Sequence, residues 1–100
     1  DGTNASGAAA ALESKGLVGK IGLVGYDAYP DNVAKIKSGI FTALIAQDPA
    51  AEARLAIDTI VKFLKDGTKP AQRDVVIPNV TLDANTSDAD FAKYTYVATK

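Results

Sequence analysis

Two short apolar runs separated by a helix-like segment constrain the fold of this chain most strongly. The runs are "KIGLVG" at 20–25 and "IFTALIAQ" at 40–47, and each has the length of a buried strand. Between them lies "PDNVAKIKSG" at 30–39, with a proline suited to a first helical turn and a glycine suited to a helix end. This order predicts two parallel strands joined by a crossover helix.

Further helices are predicted on both sides of this unit. "NASGAAAALESK" at 4–15 has Asn4 as a possible N-cap, and Gly16 can end the helix in the left-handed conformation. A third helix is predicted at 49–65, because Asp48 is a good N-cap and proline follows it at the first helical position. Its apolar residues recur at three- and four-residue spacing and form one stripe: Ala53, Ala56, Ile57, Ile60, Val61 and Leu64.

The remaining segments are less regular. "DVVIP" at 74–78 predicts a third strand, and "FAKYTYVA" at 91–98 is compatible with a strand or with a docked tail. Together these elements predict an α/β fold in which a parallel sheet is flanked by helices.

Composition excludes several kinds of site. The chain contains no cysteine and no histidine, so thiolate nucleophiles, zinc–thiolate sites and histidine-based triads are absent from it. A net charge of −1 without a basic cluster is unlike a nucleic-acid interface. The loop "DANTSDAD" at 83–90 has the first ligand positions of a calcium loop but lacks its central glycine and final glutamate. We therefore expect no catalysis, no metal, no cofactor and no nucleic-acid partner.

Polar and aromatic side chains stand where the two central strands are predicted to end. Tyr26 and Asp27 follow the first strand, and Gln47 and Asp48 follow the second. Ligands of open parallel sheets bind beyond the carboxyl ends of strands, and a ring, a carboxylate and a carboxamide suit a neutral polyol such as a sugar. A structural interpretation stays open beside this one: Asp27 caps the next helix, Tyr26 belongs to the core, and Asp48 is only an N-cap.

Three blocks of sequence together are similar to a known family. "DGTNASGAAAALESKG", "VGYDAYPDNVAKIKSG" and "TALIAQDPAAEARLAIDTIVKFLKDG" resemble the C-terminal part of sugar-type, ribose-binding-like periplasmic binding proteins of ABC importers, over about residues 1–78. The resemblance implies part of a type I periplasmic-binding-protein fold, in which two α/β lobes close on a sugar. Because a full receptor is much longer, we expect its first lobe and half of its second lobe to precede Asp1.

The resemblance also implies roles for particular residues. The family's "FD" motif, here Tyr26 and Asp27, stacks a ring on the sugar and binds its hydroxyls through the carboxylate. The family's "AQ" at the next strand end supplies a hinge glutamine, here Gln47. Asp1 stands close to the place of a polar ligand residue that opens the first block.

The resemblance further implies domain limits and partners. Residues 1–48 would belong to the C-terminal lobe, 49–67 would form the helix after the hinge that packs on the other lobe, and 68–100 would form the final strand and tail. The partners would be a small sugar or polyol, the remaining part of the binding protein, an ABC permease, and either a second copy or a companion chain covering the helix. The location would be periplasmic or extracellular, with a lipid anchor in Gram-positive hosts.

Two other classes share this kind of sheet. The effector-binding region of a LacI-type transcription regulator is the alternative to the transport protein. An enzyme or phospho-acceptor domain on a flavodoxin-like sheet would require a further acidic cluster and a lysine at strand ends, for which the sequence offers no convincing candidates.

Overall fold

The computed structural model describes residues 1–97, which form four helices and three strands. In chain order the elements are α1 (Gly2–Ser14), β1 (Val24–Tyr26), α2 (Pro30–Lys37), β2 (Ala43–Ala46), α3 (Pro49–Asp66), β3 (Val80–Asp83) and α4 (Asp88–Tyr94). The chain divides into two compact units. The first comprises Asp1–Gln47 and the residues from Asn79 onward, and the second comprises Asp48–Pro78.

The first helix begins earlier than the sequence predicted. Asp1 is the N-cap, and its carboxylate accepts a 3.0 Å hydrogen bond from the backbone amide of Asn4. Asn4 therefore lies in the first turn and is not the cap, since Asp1 already satisfies the amide that needs an acceptor. The buried face of α1 carries the small residues Gly2, Ala5 and Ala9, which allow the helix to pack closely.

The central pair of strands is parallel, as predicted. Val24 of β1 pairs with Ala43 of β2, and Tyr26 pairs with Ile45. The strands are shorter than the apolar runs that predicted them, and Tyr26 is the last residue of β1 instead of the first residue after it. The helix α2 connects the two strands, which is the predicted crossover.

The third strand differs from the prediction in place and direction. Residues 74–78 are not a strand; β3 lies at Val80–Asp83 and pairs antiparallel with β2. Val76 in the predicted segment is 87% exposed, so its apolar character does not reflect burial. Pro78 at the end of that segment has no N–H to donate to a ladder, whereas Leu82 pairs opposite Leu44 and is fully buried.

The core of the first unit lies between α1, α2 and one face of the sheet. On β1, Gly25 is the buried residue, while Val24 and Tyr26 on the alternate face are exposed. A Cβ atom added at Gly25 would lie 2.7 Å from Cδ2 of Leu44. The buried apolar residues are Ala5, Ala9, Ala28, Val33, Ile36, Phe41, Leu44, Ala46, Leu82 and Phe91.

A buried polar side chain connects the first two helices. Asn32 of α2 is 1% exposed; its Nδ2 atom donates to the Gly2 carbonyl at 3.0 Å, and its Oδ1 atom accepts from the Ser6 hydroxyl at 2.9 Å. A buried amide with these partners fixes the relative position of the two helices, because leaving either bond unmade would cost stability.

The C-terminal segment contains a helix. Ser87 is the N-cap of α4, with its hydroxyl accepting from the Asp90 amide, and Phe91 is the buried residue of the helix. A strand at 91–98 is therefore wrong for the described residues. Tyr96 beyond the helix docks through its amide, which donates to the Ala28 carbonyl at 2.9 Å. The end of that predicted segment, and of the tail predicted at 68–100, lies outside the described residues.

The second unit consists of α3 and the extended segment that follows it. Asp48 is the N-cap, as predicted, and its carboxylate accepts a 2.9 Å hydrogen bond from the Ala51 amide. Gly67 ends the helix with a φ of +71°, a conformation that favours glycine. No residue of α3 is buried, and the six residues of its predicted apolar stripe are all exposed.

Candidate functional site

The carboxyl ends of β1 and β2 bring two predicted site residues into direct contact. Asp27 follows β1 and Gln47 follows β2, and the Nε2 atom of Gln47 donates a 3.0 Å hydrogen bond to Oδ1 of Asp27. The parallel register explains this contact, because strands that run the same way deliver their following residues to the same edge. Both side chains are half-buried, so they remain accessible to a small molecule.

Asp27 has an unusual backbone conformation. Its φ of +75° is positive, and it is the one non-glycine residue with positive φ in the described part of the chain. Such a conformation costs a side-chain-bearing residue roughly 1–2 kcal/mol, so the surrounding structure must hold it in place. The Asp27 amide contributes to this by donating to the Ile45 carbonyl at 2.9 Å.

The capping interpretation of Asp27 is wrong. The N-cap of α2 is Tyr29, and no side chain caps that helix end with a hydrogen bond. Within the described residues, the hydrogen bonds to the Asp27 side chain all fall on its Oδ1 atom. Among residues 1–97 no hydrogen-bond donor reaches Oδ2, so this oxygen can accept a hydrogen bond from a ligand.

Tyr26 lies at the same edge and is not a core residue. Its side chain is 39% exposed, on the sheet face opposite to the helices α1 and α2. The hydroxyl accepts a 2.8 Å hydrogen bond from Nδ2 of Asn79, which fixes one end of the ring. The exposed part of the side chain offers aromatic surface that an apolar face of a ligand can cover.

The structure adds Tyr96, a residue that sequence reasoning missed. Its hydroxyl accepts from the backbone amide of Gln47 at 3.1 Å and donates to Oδ1 of Asp27 at 3.4 Å. Desolvation is the main reason that its pKa is raised above the ordinary value, with the Asp27 charge adding to this. No signal in the sequence could have found it, since 49 residues separate Gln47 from Tyr96.

Asp1 stands apart from this hydrogen-bond network. Its carboxylate caps α1 through the Asn4 amide, and the described residues include no hydrogen bond between Asp1 and Tyr26, Asp27 or Gln47. It is nevertheless next to Gly2, whose missing Cβ leaves room for the Tyr29 ring. That ring meets Tyr96 edge to face, with centroids 5.5 Å apart.

The described residues contain neither a metal-binding cluster nor a membrane-crossing helix. Within residues 1–97, no group of three or more acidic, histidine or cysteine side chains is arranged to hold a metal ion. No helix in the same part of the chain combines the length and hydropathy that crossing a bilayer would require.

The arrangement can bind a polar molecule through several kinds of contact. Asp27 offers an acceptor oxygen, Gln47 offers a carboxamide, and Tyr26 offers an aromatic face. Open α/β sheets bind small ligands at this edge, beyond the carboxyl ends of their strands. The fold and the placement of these side chains are typical of α/β ligand-binding proteins.

Comparison with known proteins identifies the family. The family model described as periplasmic binding protein domain matches residues 1–69, and the chain belongs to this family. A solved structure of an ABC transporter solute-binding protein from Agrobacterium vitis, with bound D-fucose, is similar to this chain with a TM-score of 0.75 at 22% sequence identity. The match covers 92% of this chain and 31% of that protein, so this chain spans less than a third of the longer protein.

Proposed function

We propose that this chain forms the C-terminal part of a sugar-type solute-binding protein of a bacterial ABC importer. It would bind a small neutral sugar or polyol without catalysis. The observation that carries this proposal is the hydrogen-bonded pair of Asp27 and Gln47 beside Tyr26, at the carboxyl edge of a parallel pair of strands.

The chemistry of these three side chains matches a neutral polyol. A carboxylate accepts hydrogen bonds from hydroxyls with a strength that neutral acceptors do not reach, and a carboxamide both donates and accepts. The apolar face of a pyranose or furanose ring can stack on the exposed Tyr26 ring. An anionic ligand would be repelled by Asp27, which has no cation among its hydrogen-bond partners in the described residues.

The remaining contacts of the ligand would come from the other lobe. The chain spans 31% of the fucose-bound protein, which supports the view that a further lobe completes the cleft. The exposed apolar stripe of α3 supports a place for this helix against that lobe. An ABC permease would receive the sugar from the closed receptor.

Membership in the periplasmic binding protein family supports a location outside the cytoplasm. In a Gram-negative host this would be the periplasm. In a Gram-positive host we propose a lipid anchor on the outer face of the membrane.

A ligand screen on the full-length receptor tests the proposal. Isothermal titration with neutral monosaccharides, D-fucose among them, should give saturable binding of one sugar per receptor. Matched titrations with uronic acids and amino acids should give none, because Asp27 repels the carboxylate of both and has no cation among its described hydrogen-bond partners to offset that repulsion. Tight binding of a charged ligand together with no response to any neutral sugar would contradict the proposal.

A further inference from the structure

The C-terminal segment reaches the proposed sugar site through one side chain. The Tyr96 hydroxyl accepts from the Gln47 backbone amide at 3.1 Å and lies 3.4 Å from Oδ1 of Asp27. The second distance is long for an O–H···O bond, so the Gln47 carboxamide at 3.0 Å is the stronger donor to Asp27. The three residues nonetheless form a closed triangle, in which Gln47 bonds to Tyr96 through its backbone amide and to Asp27 through its side chain.

The position of Tyr96 is itself held by the fold. Its amide donates to the carbonyl of Ala28, the residue directly after Asp27, and its ring meets the Tyr29 ring edge to face. The helix before it is anchored by the buried Phe91, over whose ring Nζ of Lys37 lies at 5.3 Å from the centroid. Tyr96 therefore contacts both the Asp27 carboxylate and the backbone carbonyl of the next residue, Ala28.

We propose that Tyr96 is a positioning residue of the sugar site, a role that rests on the proposed function. Its hydroxyl holds the Gln47 backbone at the end of β2, from which the carboxamide reaches Asp27. With both donors on Oδ1, the carboxylate is fixed in one orientation and Oδ2 is presented as the acceptor for a sugar hydroxyl. Pre-organisation of this kind lowers the ordering cost that binding would otherwise incur.

The raised pKa of Tyr96 is consistent with this role. A protonated phenol can accept from Gln47 and donate to Asp27 at the same time, whereas a phenolate would repel the carboxylate.

A double-mutant cycle on the full-length receptor distinguishes positioning from a general structural role. Tyr96→Phe keeps the ring and removes the hydroxyl, and it should weaken binding of the preferred neutral sugar about fivefold, the worth of one typical hydrogen bond. In an Asp27→Ala background the same change should leave the residual affinity unaltered, because the group that Tyr96 positions is gone. Tyr94→Phe is the matched control, since the Tyr94 hydroxyl bonds to Lys93 and not to the site.

Each outcome of the cycle has a definite meaning. Equal losses from Tyr96→Phe in both backgrounds, or no loss in either, would overturn the positioning role while leaving the proposed function in place. A wild-type receptor that binds no neutral sugar would overturn the proposed function, and the inference with it. If Tyr96→Phe does not fold, Tyr29→Leu is used in its place. This change removes the ring that packs against Tyr96, and the looser Tyr96 side chain should weaken sugar binding about twofold, again only when Asp27 is present.

Discussion

Gln47 and Asp27 are joined by a 3.0 Å hydrogen bond between side chains that follow two neighbouring parallel strands. The two strands are joined by the crossover helix α2, so the fold of this strand–helix–strand unit places both side chains of the candidate site. The contact also explains why Asp27 can hold a φ of +75°: the carboxylate is fixed by Gln47 and Tyr96, and the amide is fixed by Ile45. In the proposed function, the Tyr26 ring that ends β1 and the Asp27 carboxylate that follows it form the binding edge.

The backbone conformation of Asp27 predicts an unusual order of stability. Both Asp27→Gly and Asp27→Ala remove the carboxylate, but glycine adopts a positive φ without a Cβ penalty. Asp27→Gly should therefore be more stable than Asp27→Ala by about 1 kcal/mol in the free energy of unfolding, measured with urea on the full-length protein.

The matched control for this comparison is Asp31, in the first turn of α2. At a helical position alanine is more stable than glycine by up to about 1 kcal/mol, so the order should reverse. If alanine is the more stable substitution at both positions, Asp27 does not adopt the left-handed conformation in solution.

Close packing at Gly25 predicts a second effect. A Cβ atom there would lie 2.9 Å from Cε1 of Phe41 and 3.0 Å from Cβ of Ala5, so Gly25→Ala should destabilise the fold by about 1–3 kcal/mol. Gly7→Ala is the control: it adds the same methyl group in α1, where nothing lies within 4 Å, and should raise stability by a few tenths to about 1 kcal/mol. Thermal unfolding of the two variants measures this, and similar shifts in melting temperature would refute the packing of α1 against β1.

The exposed stripe of α3 predicts association. Ile57 is 61% exposed and Leu64 is 76% exposed, and burying such side chains is worth about 1.5–3 kcal/mol each. A groove of about 590 Å³ beside Leu64, lined in part by Ile60, Phe63 and Pro70, adds to the apolar surface. We therefore expect the purified 100-residue chain to self-associate, or to bind a companion chain that carries the other lobe.

Light scattering on the 100-residue chain checks this expectation. Ile57→Glu should reduce self-association, because it places a charge in the stripe. Lys62→Glu places the same residue at a helix position outside the stripe and should leave association unchanged. A wild-type chain that stays monomeric and folded on concentration would show that the stripe needs no partner.

The elements that the sequence predicted well are those specified by neighbouring residues. For α3, the N-cap Asp48 gave the start of the helix because capping acts over a few residues, and the predicted end at 65 is next to the observed end at Asp66. The carboxyl ends of β1 and β2, before Asp27 and Gln47, could also be predicted from the sequence, because an apolar run in the sequence stops where burial stops.

The features that the sequence did not reveal depend on contacts between distant residues. The run at 74–78 is as apolar as a strand, but it is not the segment that pairs with β2. The segment Val80–Asp83 pairs with the edge of β2 and thereby forms β3. Tyr96 looks like one of several aromatic residues in a polar tail, and only the folded chain places its hydroxyl on Gln47. Local patterns cannot specify which distant strand or side chain will be the partner.

Sugar affinity of the full-length receptor with and without the Asp27 carboxylate tests the central claim most directly. The comparison is between wild type, Asp27→Ala and the control Asp31→Ala, which removes an exposed carboxylate from α2. Isothermal titration with the preferred neutral sugar should show that Asp27→Ala loses about 1.5–3 kcal/mol of binding free energy, roughly ten- to a hundredfold, because hydrogen bonds to a charged acceptor are lost. Asp31→Ala should bind as wild type does. Unchanged affinity in Asp27→Ala would contradict the account, because the sugar would then bind without the residue on which the site is built.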